Sequence, residues 1–379
     1  MSIYLDNAAT SYPKPESVYQ AIMHALREVG ASPGRAGHRR SLEAARLLFQ
    51  AREAVATLFG IPDAARVIFT HSATEALNLG LRGTLEPGDH VITTSMEHNS
   101  LVRPLFLLRR QGVEVSIVQT GSDGRVDPHE VRKALQPNTR MIAVGHISNV
   151  SGTIQAIGPL AAIAREAGAL FLLDAAQSAG CEPIDVVSIG IDLLAAPGHK
   201  GLFGPQGTGF LYVSPATALR PLLAGGTGSS STDEDQPLTM PEGFEAGTHN
   251  LPGIAGLKAG VDFVLMQGAA NIGAKERALT GEAAARLAVV PGITLHRPID
   301  PAAHGGVLSF TATGADPATL AFMLDHNFDI AVRAGLHCAP QAHRTLGTFP
   351  EGTLRISPGW FNTSEEIAFF CDAVVECLR

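Results

Sequence analysis

The sequence is poor in cysteine, in aromatic residues and in charge. Its 379 residues include four cysteines and one tryptophan, and 17% are charged. The cysteines are Cys181, Cys338, Cys371 and Cys377. They form no CxxC pair and no zinc-finger spacing, so neither a disulfide framework nor a structural zinc site is predicted, and we expect reduced thiols.

Long apolar runs and an excess of positive charge are also missing. No stretch approaches ~18 uninterrupted apolar residues, and the opening MSIYLDNAAT lacks the charged and apolar regions of a secretory signal. We therefore expect a cytoplasmic protein without a membrane partner. The net charge of −8 argues against nucleic acid or anionic lipid as a partner, because both select clustered Lys and Arg. The basic run at 35–40 is too short to change this.

Short apolar runs alternate with helical stretches over the first 213 residues. Most are near-continuous, as in strands that are covered on both faces. Strands are predicted at 67–70, 90–94, 114–118, 141–147, 170–174, 192–196 and 210–213. This alternation predicts an α/β fold, with a mostly parallel sheet between helices and ligands at the carboxyl ends of the strands.

Helices are predicted near both ends of the chain. One begins near Pro15 and another covers 41–59. The apolar stripe of the first helix is formed by Val18, Ile22, Leu26 and Val29. The last helix begins with a capping box of Thr363 and Glu366, and its apolar stripe includes Cys371. Cys377 lies off that stripe, so neither thiol is expected to have a chemical role.

The pattern changes near Ile254 to a long helix and then a smaller α+β region. We therefore predict a large domain over 15–254 and a small domain formed by 1–14 and 255–379. The preceding segment 225–237 (GGTGSSSTDEDQP) is too polar to bury a core of its own. It is predicted to be a linker or a mobile loop.

A lysine and an aspartate follow two of the predicted strands. One strand ends at Asp174, and a Pro-Gly-His-Lys-Gly turn after a later strand carries Lys200. Enzymes that use pyridoxal phosphate (PLP) need a lysine for a Schiff base and a carboxylate that keeps the pyridine nitrogen protonated. Taken singly, the aspartate could cap a helix and the lysine could be a solvated surface residue. A lysine between two glycines after a buried strand favours the cofactor interpretation.

Three further polar residues follow predicted strands. Thr74 lies in VIFTHSATEALNL, where a helix N-terminus after a strand would suit a phosphate, although a plain N-cap fits as well. His98 could stack on a cofactor or move protons, and Asn149 could donate a hydrogen bond to it. Both could equally be structural.

Cys338 lies in RAGLHCAP, a loop with several reactive side chains. The nearby His337 and Arg333 would favour a thiolate, as nucleophilic sulfur chemistry requires. Arg355 could hold a substrate carboxylate by a bidentate pair. A structural thiol and a surface salt bridge are the alternatives. A metal site with His343 is not predicted, because no carboxylate or second thiol lies at ligand spacing.

Together these segments resemble the cysteine desulfurase family, within the class V aminotransferase group of fold-type I PLP enzymes. The resemblance covers nearly the whole chain, through YLDNAAT, RAGHRRS, TEALN, MEHNS, SNVSGT, DAAQS, GHKGLFGPQG, EAGTHN, RAGLHCAP and LRIS. It implies a seven-stranded sheet in the large domain. The RxGxHCA form is similar to the second group of the family, in which the cysteine lies on a short ordered loop.

The resemblance also implies a role for each matched residue. Lys200 would carry PLP, Asp174 would pair with its pyridinium nitrogen, and His98 would stack on its ring. The remaining contacts would come from Gln177 and Asn149 at the phenolic oxygen, from Ala73, Thr74 and His199 around the phosphate, and from Thr248 at a phosphate in the neighbouring subunit of a homodimer. Arg355, with Asn149, would hold the substrate carboxylate.

Two positions depart from the pattern of the family. Ala73 stands where relatives often have a hydroxyl residue, and Pro197 replaces a serine that is common before the Gly-His-Lys turn. Both changes remove hydroxyl donors from the implied phosphate site.

The implied reaction converts L-cysteine to L-alanine and leaves the sulfur on Cys338 as a persulfide for an acceptor protein. Four alternatives stay open at this point. They are a selenocysteine lyase, a cysteine sulfinate desulfinase, a PLP aminotransferase or epimerase, and a cofactor-binding regulator without turnover.

Overall fold

The computed structural model describes residues 2–34, 37–228, 232 and 234–379. Its strands are β1 (Ile3–Tyr4), β2 (Val67–Thr70), β3 (His90–Thr94), β4 (Glu114–Val118), β5 (Thr139–Gly145), β6 (Leu170–Asp174), β7 (Leu193–Pro197), β8 (Gly209–Val213), β9 (Ile293–His296), β10 (Leu308–Ala312), β11 (Ile330–Ala331), β12 (Arg333–Gly335) and β13 (Thr353–Ile356). Its α-helices are α1 (Glu16–His24), α2 (Arg39–Phe59), α3 (Ala73–Thr84), α4 (Asn99–Arg109), α5 (Pro128–Lys133), α6 (Ile157–Glu166), α7 (Val186–Ile189), α8 (Leu251–Gln267), α9 (Ala269–Leu287), α10 (Pro317–Phe328), α11 (Pro340–Thr345) and α12 (Ser364–Cys377). The basic run at 35–40 and the segment 225–237 lie partly outside the described residues, so neither prediction is tested.

The central sheet has seven strands in the order β2-β8-β7-β6-β5-β3-β4. Strand β8 is antiparallel to both of its neighbours, and the other pairs are parallel. The α/β class and the mostly parallel sheet are thus confirmed. Because β3, β5, β6 and β7 run in the same direction, the residues that follow them meet at one edge of the sheet.

Three strands differ from their predicted limits. Strand β5 covers Thr139–Gly145 rather than 141–147, because Ile147 pairs instead with Ile154 in a separate antiparallel bridge, and β8 begins at Gly209, one residue before its predicted start. Strand β7 is shifted by one residue and ends at Pro197, which pairs with Gly209 at the start of β8. A proline can occupy the end of a strand because no further ladder amide is required there.

Residues along the sheet alternate between two apolar layers. Phe171 and Leu173 pack against α2 and α6 on one face, whereas Leu172 packs against α3 and α4 on the other. Successive side chains of a strand point to opposite faces, so a strand covered on both sides must be apolar throughout. This is why the strands appear as near-continuous apolar runs.

The first helix departs from its predicted stripe. Helix α1 ends at His24 and the chain continues as a π-helical turn over Ala25–Val29. The wider turn shifts the periodicity, so Ala25 is buried and Leu26 is 55% exposed. The placement of Leu26 on the core face is therefore wrong.

The second and last helices are close to prediction. Helix α2 begins two residues early, at Arg39, and the ring of His38 accepts the Ser41 amide. The capping box of Thr363 and Glu366 is present at the start of α12. Cys371 is buried on the core face of that helix, as expected.

Helix α8 brings the chain back against the segment that follows β7. Ile254, Leu257 and Val261 belong to the core of the large sheet. On the same helix, a Cβ at Gly260 would overlap the carbonyl oxygen of Leu202, so glycine allows the helix to approach this loop closely. The described part of the chain contains no helix that is both long and apolar enough to cross a bilayer.

A second, antiparallel sheet has the order β12-β13-β10-β9. Its core contains Leu308, Phe310 and Leu354, together with residues of α9, α10 and α12. Strand β1 pairs with β11, which attaches the start of the chain to this region. The domain limit at residue 254 stays a prediction.

Candidate active site

A pocket lies at the carboxyl ends of β3, β5, β6 and β7. Its cavity volume is about 250 Å³. The predicted residues that line it are Ala73, Thr74, His98, Asn149, Asp174, Gln177, His199, Lys200, Cys338 and Arg355, together with Pro197 and Arg333. Residues separated by up to 282 positions in the sequence are thus brought to one site, because parallel strands end at a common edge.

Lys200 and Asp174 form the floor of this pocket. Asp174 is the last residue of β6 and is 6% exposed, with one carboxylate oxygen accepting the Ala176 amide at 2.9 Å. Burial raises the pKa of Asp174, while that hydrogen bond and the charge of Lys200 oppose the rise. Burial also lowers the pKa of Lys200 to about 8. Such shifts are typical of catalytic groups.

The glycine after Lys200 is required by backbone packing. A Cβ at Gly201 would overlap the carbonyl oxygen of Ala179, and one at Gly180 would overlap the carbonyl oxygen of Gly201. The turn that follows β6 and the turn that carries Lys200 therefore pack backbone to backbone. This fixes the direction in which the lysine leaves β7.

Residues near the N-terminus form hydrogen bonds with His199, the residue before Lys200. The carbonyl oxygen of His199 accepts the Ser11 amide at 3.0 Å, the Thr10 hydroxyl at 3.1 Å and the Lys14 ammonium at 3.4 Å. Burial lowers the pKa of Lys14 to about 8. Sequence reasoning missed these three residues, although they lie in and directly after the YLDNAAT motif.

One end of the pocket has the features of a phosphate site. Helix α3 begins at Ala73, and the Ser72 side chain caps it by accepting the Glu75 amide at 3.2 Å. Thr74 faces the pocket from the first turn. His199 Nδ1 is buried and has no hydrogen-bond partner among the described residues. A free ring nitrogen beside a helix N-terminus suits an anion.

His98 is the N-cap of α4 and is held by its own helix. Its Nδ1 accepts the Ser100 amide at 3.1 Å and lies 2.6 Å from the Ser100 hydroxyl. Burial, followed by the charges of Lys200 and nearby arginines, lowers the pKa of His98 to about 4. The ring is therefore neutral at pH 7, so it can accept a proton but carries no standing charge.

Cys338 is exposed at the rim of the pocket, on the short loop after β12. The loop is held from two sides: Asn149 donates its amide to the carbonyl oxygen of His337 at 2.7 Å, and the Asn99 amide donates to that of Cys338 at 2.8 Å. His337 and Cys338 both have positive φ, 49° and 57°. Non-glycine residues rarely adopt this conformation, and at functional sites the surrounding contacts maintain it.

His337 does not supply the positive charge expected from the sequence. Burial, followed by the charge of Arg355, lowers its pKa to about 2. Its ring stacks on that of His343, with centroids 5.6 Å apart, and His343 bonds the Thr348 hydroxyl at 2.7 Å. A neutral buried pair of this kind supports the loop, so any positive charge near Cys338 comes from other residues that line its pockets, such as Arg333 and Arg103.

Arg355 is fixed in place before any substrate binds. It is 1% exposed on β13 and pairs with Asp6 at 2.6 Å, while another guanidinium nitrogen donates to the carbonyl oxygen of Asn149 at 3.0 Å. Its Nε is buried and lacks a partner within the described part of the chain. Asp6, from the YLDNAAT motif, thus orients the guanidinium and leaves its Nε–H without a partner among the described residues.

Two predicted residues remain, Gln177 and Thr248, and they lie in different places. Gln177 lines the pocket and donates its amide to the carbonyl oxygen of Ala8 at 3.0 Å. Thr248 is exposed and lines a separate cavity beside Phe69 and His71. The structure of one chain therefore does not bring Thr248 to the lysine pocket of that chain.

The fold and this pocket define the class of fold-type I PLP enzymes. The chain belongs to the aminotransferase class-V family, whose model matches residues 3–370. Its relatives place it among the cysteine desulfurases. A protein of Methanothermobacter thermautotrophicus named "Probable cysteine desulfurase" is 38% identical, covering 99% of this chain and 94% of the relative. The cysteine desulfurase of Haloferax volcanii is 34% identical, covering 98% and 88%.

Solved structures are also similar to this chain over its full length. The cysteine desulfurase of Thermococcus onnurineus matches with a TM-score of 0.92 at 33% identity, covering 99% of this chain and 94% of that one. A cysteine desulfurase of Escherichia coli matches with a TM-score of 0.89 at 29% identity, covering 100% and 94%. The fold predicted from the sequence is confirmed by these neighbours.

The pocket fits the cofactor that the family implies. PLP has an aldehyde, a basic ring nitrogen and a phosphate. The pocket offers Lys200 to the first, buried Asp174 to the second, and the start of α3 with the unpartnered His199 Nδ1 to the third. Each group thus has a partner of suitable chemistry in this chain.

Proposed function

We propose that the protein is a cysteine desulfurase that converts L-cysteine to L-alanine and transfers the sulfur to Cys338 as a persulfide. One observation carries the proposal: Lys200, Asp174 and Cys338 line the same pocket. The first two serve PLP chemistry in general. Cys338 is exposed at the rim, on a loop that hydrogen bonds keep in place, and it adds a nucleophile that can attack the sulfur of the substrate.

We assign the cofactor contacts as follows. Lys200 would hold PLP covalently, Asp174 would pair with the ring nitrogen, and His98 would contact the ring. The phosphate would be held by Thr74, His199 and the first amides of α3, of which Ala73 supplies one. Gln177 and Asn149 would serve the phenolic oxygen. Bound PLP supplies an aldehyde for the amino group and a ring that withdraws electrons from the substrate Cα.

The chain's own residues then move the protons and the sulfur. Lys200 takes the proton from the substrate Cα, as its pKa of about 8 allows near neutral pH. The Cys338 thiolate attacks the substrate sulfur: a sulfur–sulfur bond forms and the carbon–sulfur bond breaks. The electron pair of the broken bond stays with the substrate side, where Cβ takes up a proton and Lys200 returns the proton to Cα. Alanine leaves, and Cys338 keeps the additional sulfur atom.

Arg355 holds the carboxylate of the substrate during these steps. Its pairing with Asp6 fixes the plane of the guanidinium, and the unpartnered Nε is the donor that the substrate uses. Asn149 connects this side of the pocket to the cysteine loop through its contact with His337. The substrate is thereby held between the lysine and the attacking thiol.

The experiment that tests this function measures alanine and sulfide from L-cysteine with a reductant present. Lys200→Ala is expected to lose both products, and Cys338→Ala is expected to lose at least a hundredfold in rate. Lys258→Ala and Cys377→Ala are matched controls away from the pocket and should keep wild-type rates. A Cys338→Ala variant with full activity on cysteine would exclude the persulfide route.

The same variants separate the related functions. Selenocysteine and cysteine sulfinate have better leaving groups, so a lyase specific for them would tolerate Cys338→Ala. Consumption of a keto acid would reveal an aminotransferase. A bound cofactor without a product from any amino acid would indicate a regulator.

We also propose a cytoplasmic homodimer in which Thr248 binds the phosphate at the partner's site, with a protein as the sulfur acceptor. Phe49 is 57% exposed and lines a cavity together with His249, the residue after Thr248, which supports a buried interface on this side of the chain. Mixing a Lys200→Ala chain with a Thr248→Ala chain would restore one complete site per mixed dimer. No restored activity, or a monomer in sedimentation, would contradict the shared site.

A further inference from the structure

Glu97 is a buried carboxyl group in the same pocket that the mechanism above does not use. It follows β3, lines the pocket and is 3% exposed. Its side chain reaches across to β5, where Oε2 accepts the Gly145 amide at 2.7 Å. Its Oε1 lies 2.6 Å from the Thr94 hydroxyl. Both oxygens are therefore held by neighbouring strands.

The absence of a side chain at Gly145 leaves space for the carboxyl group of Glu97. A Cβ at this position would lie 3.0 Å from Oε2 of Glu97, which is tighter than most such contacts and would require the carboxyl group to shift. The end of β5 thus leaves space for the carboxyl group. Gly145 also pairs with Asp174 in the register of β5 and β6, so the two carboxyl-bearing residues flank one strand end.

No cation balances Glu97. Within the described residues, no Lys, Arg or His nitrogen lies within 4 Å of its carboxylate. The ionisable group that acts on it from the neighbouring strand is Asp174, of the same sign, while His98 and Lys200 face the shared pocket. Burial, and to a smaller extent Asp174, raises the pKa of Glu97 to about 8. Asp174 has the charge of Lys200 to oppose its burial, whereas Glu97 has no cation, so of the two carboxyl groups Glu97 is the one that burial keeps protonated.

We propose that Glu97 keeps a proton in the working enzyme and acts as a positioning residue, so that of these two carboxyl groups only Asp174 is charged. The single negative charge then faces the cofactor's ring nitrogen, and the neutral Glu97 holds the ends of β3 and β5 together. The role toward the ring nitrogen rests on the proposed function. The protonation of Glu97 is a property of the chain alone.

The hydrogen bonds determine where the proton lies. The Gly145 amide can only donate, so Oε2 is the acceptor. When Glu97 is charged, the Thr94 hydroxyl donates to Oε1; when Glu97 is protonated, Oε1 carries the proton and donates it to that hydroxyl oxygen, so the bond keeps its place and reverses its direction. A glutamine reproduces this arrangement, because its amide oxygen accepts from Gly145 and its NH₂ donates to Thr94. Glu97→Gln is thus a mimic of the protonated side chain.

The test compares Glu97→Gln with wild type and with the control Glu351→Gln, which changes an exposed glutamate. In the cofactor-free protein at pH 7, the infrared difference spectrum between wild type and Glu97→Gln should contain the carbonyl band of a protonated carboxylic acid, and the difference between wild type and Glu351→Gln should not. Buried Glu276, whose pKa is also raised to about 8, contributes equally to all three proteins and cancels.

Thermal melting of the cofactor-free proteins gives the second measurement. The pKa of Glu97 is raised in the folded state, so its contribution to stability is complete below about pH 4.5 and is lost as the pH rises toward 8. The melting temperature of Glu97→Gln should therefore rise relative to wild type by a few degrees between pH 5 and 8.5. Glu351→Gln should show no such trend.

With PLP bound, the visible absorption of wild type should change as Glu97 ionises above pH 8, and that of Glu97→Gln should stay constant. A missing carboxylic acid band together with a melting difference that is independent of pH would overturn the proposal. Failure of the proposed desulfurase activity would leave both cofactor-free measurements unchanged, so the two ideas are tested separately.

Discussion

At the scale of single residues, burial acts on Lys200 and Glu97 in opposite directions. It lowers the pKa of the lysine to about 8 and raises the pKa of the glutamate to about 8. In both cases the uncharged form is favoured, because a buried site solvates charge poorly. The lysine becomes available as a nucleophile and base, whereas the glutamate becomes a neutral hydrogen-bonding group.

Lys200 gives a prediction about pH. With a pKa of about 8, about one tenth of the amine is neutral at pH 7, against about one part in 3000 for an ordinary lysine. The rate at which the cofactor-free protein takes up PLP should therefore rise about tenfold per pH unit below 8 and level off above it. Stopped-flow absorbance measures this rate, and a model amine corrects for the ionisation of PLP. A rate that keeps rising to pH 10 would contradict the lowered pKa.

The sequence allowed some residues of the site to be predicted and not others. Lys200 and Asp174 follow predicted strands, Cys338 stands in the RAGLHCAP motif, and all three line one pocket. The neutral state of His337 and the hydrogen bond from Lys14 to the carbonyl oxygen of His199 could not be predicted from the sequence. Both depend on burial and on contacts with distant segments, and burial is a property of the folded chain.

At the scale of structural elements, the cysteine loop depends on two others. The start of α4 supplies the Asn99 amide to Cys338, and the turn after β5 supplies the Asn149 side chain to His337. Two residues with positive φ in succession cost free energy that these contacts offset. The position of the thiol is therefore determined outside the loop.

Asn149→Ala is expected to release this loop. Loss of one hydrogen bond of about 0.5–1.5 kcal/mol should increase hydrogen exchange at 336–339 and lower kcat for alanine formation by up to about tenfold. Asn271→Ala, an exposed change on α9, is the control. Unchanged exchange at 336–339 would show that Asn149 acts on the cofactor alone.

At the scale of the whole molecule, a buried ion pair joins α2 to the segment before α8. Arg52 donates to Glu245 at 2.6 Å, and the side chains are 7% and 2% exposed. His249 lies 2.7 Å from the same carboxylate. Burial alone would raise the pKa of Glu245, and the charge of Arg52 with the His249 contact lowers it below its usual value.

Removing one partner of this pair should destabilise the fold strongly. We expect Glu245→Ala to lower the free energy of unfolding by about 3–5 kcal/mol, because the Arg52 charge stays buried without a partner. Since the pKa of Glu245 is lowered in the folded state, its contribution is present above about pH 4.5 and is lost as the pH falls.

Urea unfolding of the cofactor-free protein measures the change. Glu242→Ala, an exposed glutamate on the same segment, is the control and should change the free energy by less than about 0.5 kcal/mol. The double variant Arg52→Met with Glu245→Gln should recover part of the loss. A loss for Glu245→Ala that is no larger than for the control would show that the pair is solvated.

The sequence by itself determined the α/β class, most strand limits, the capping box of α12 and the residue types of a lysine-cofactor site. These follow from local periodicity and from motifs at strand ends, and neither needs distant contacts. Only the tertiary structure determined that β8 is antiparallel and that Asp6 pairs with Arg355. It also determined that Thr10, Ser11 and Lys14 donate hydrogen bonds to the carbonyl oxygen of His199. It also decided that Glu97 lies beside Asp174 at the end of β5. Such contacts join segments that lie far apart in the chain. The charge states of the residues involved depend on their burial, which a local sequence pattern does not determine.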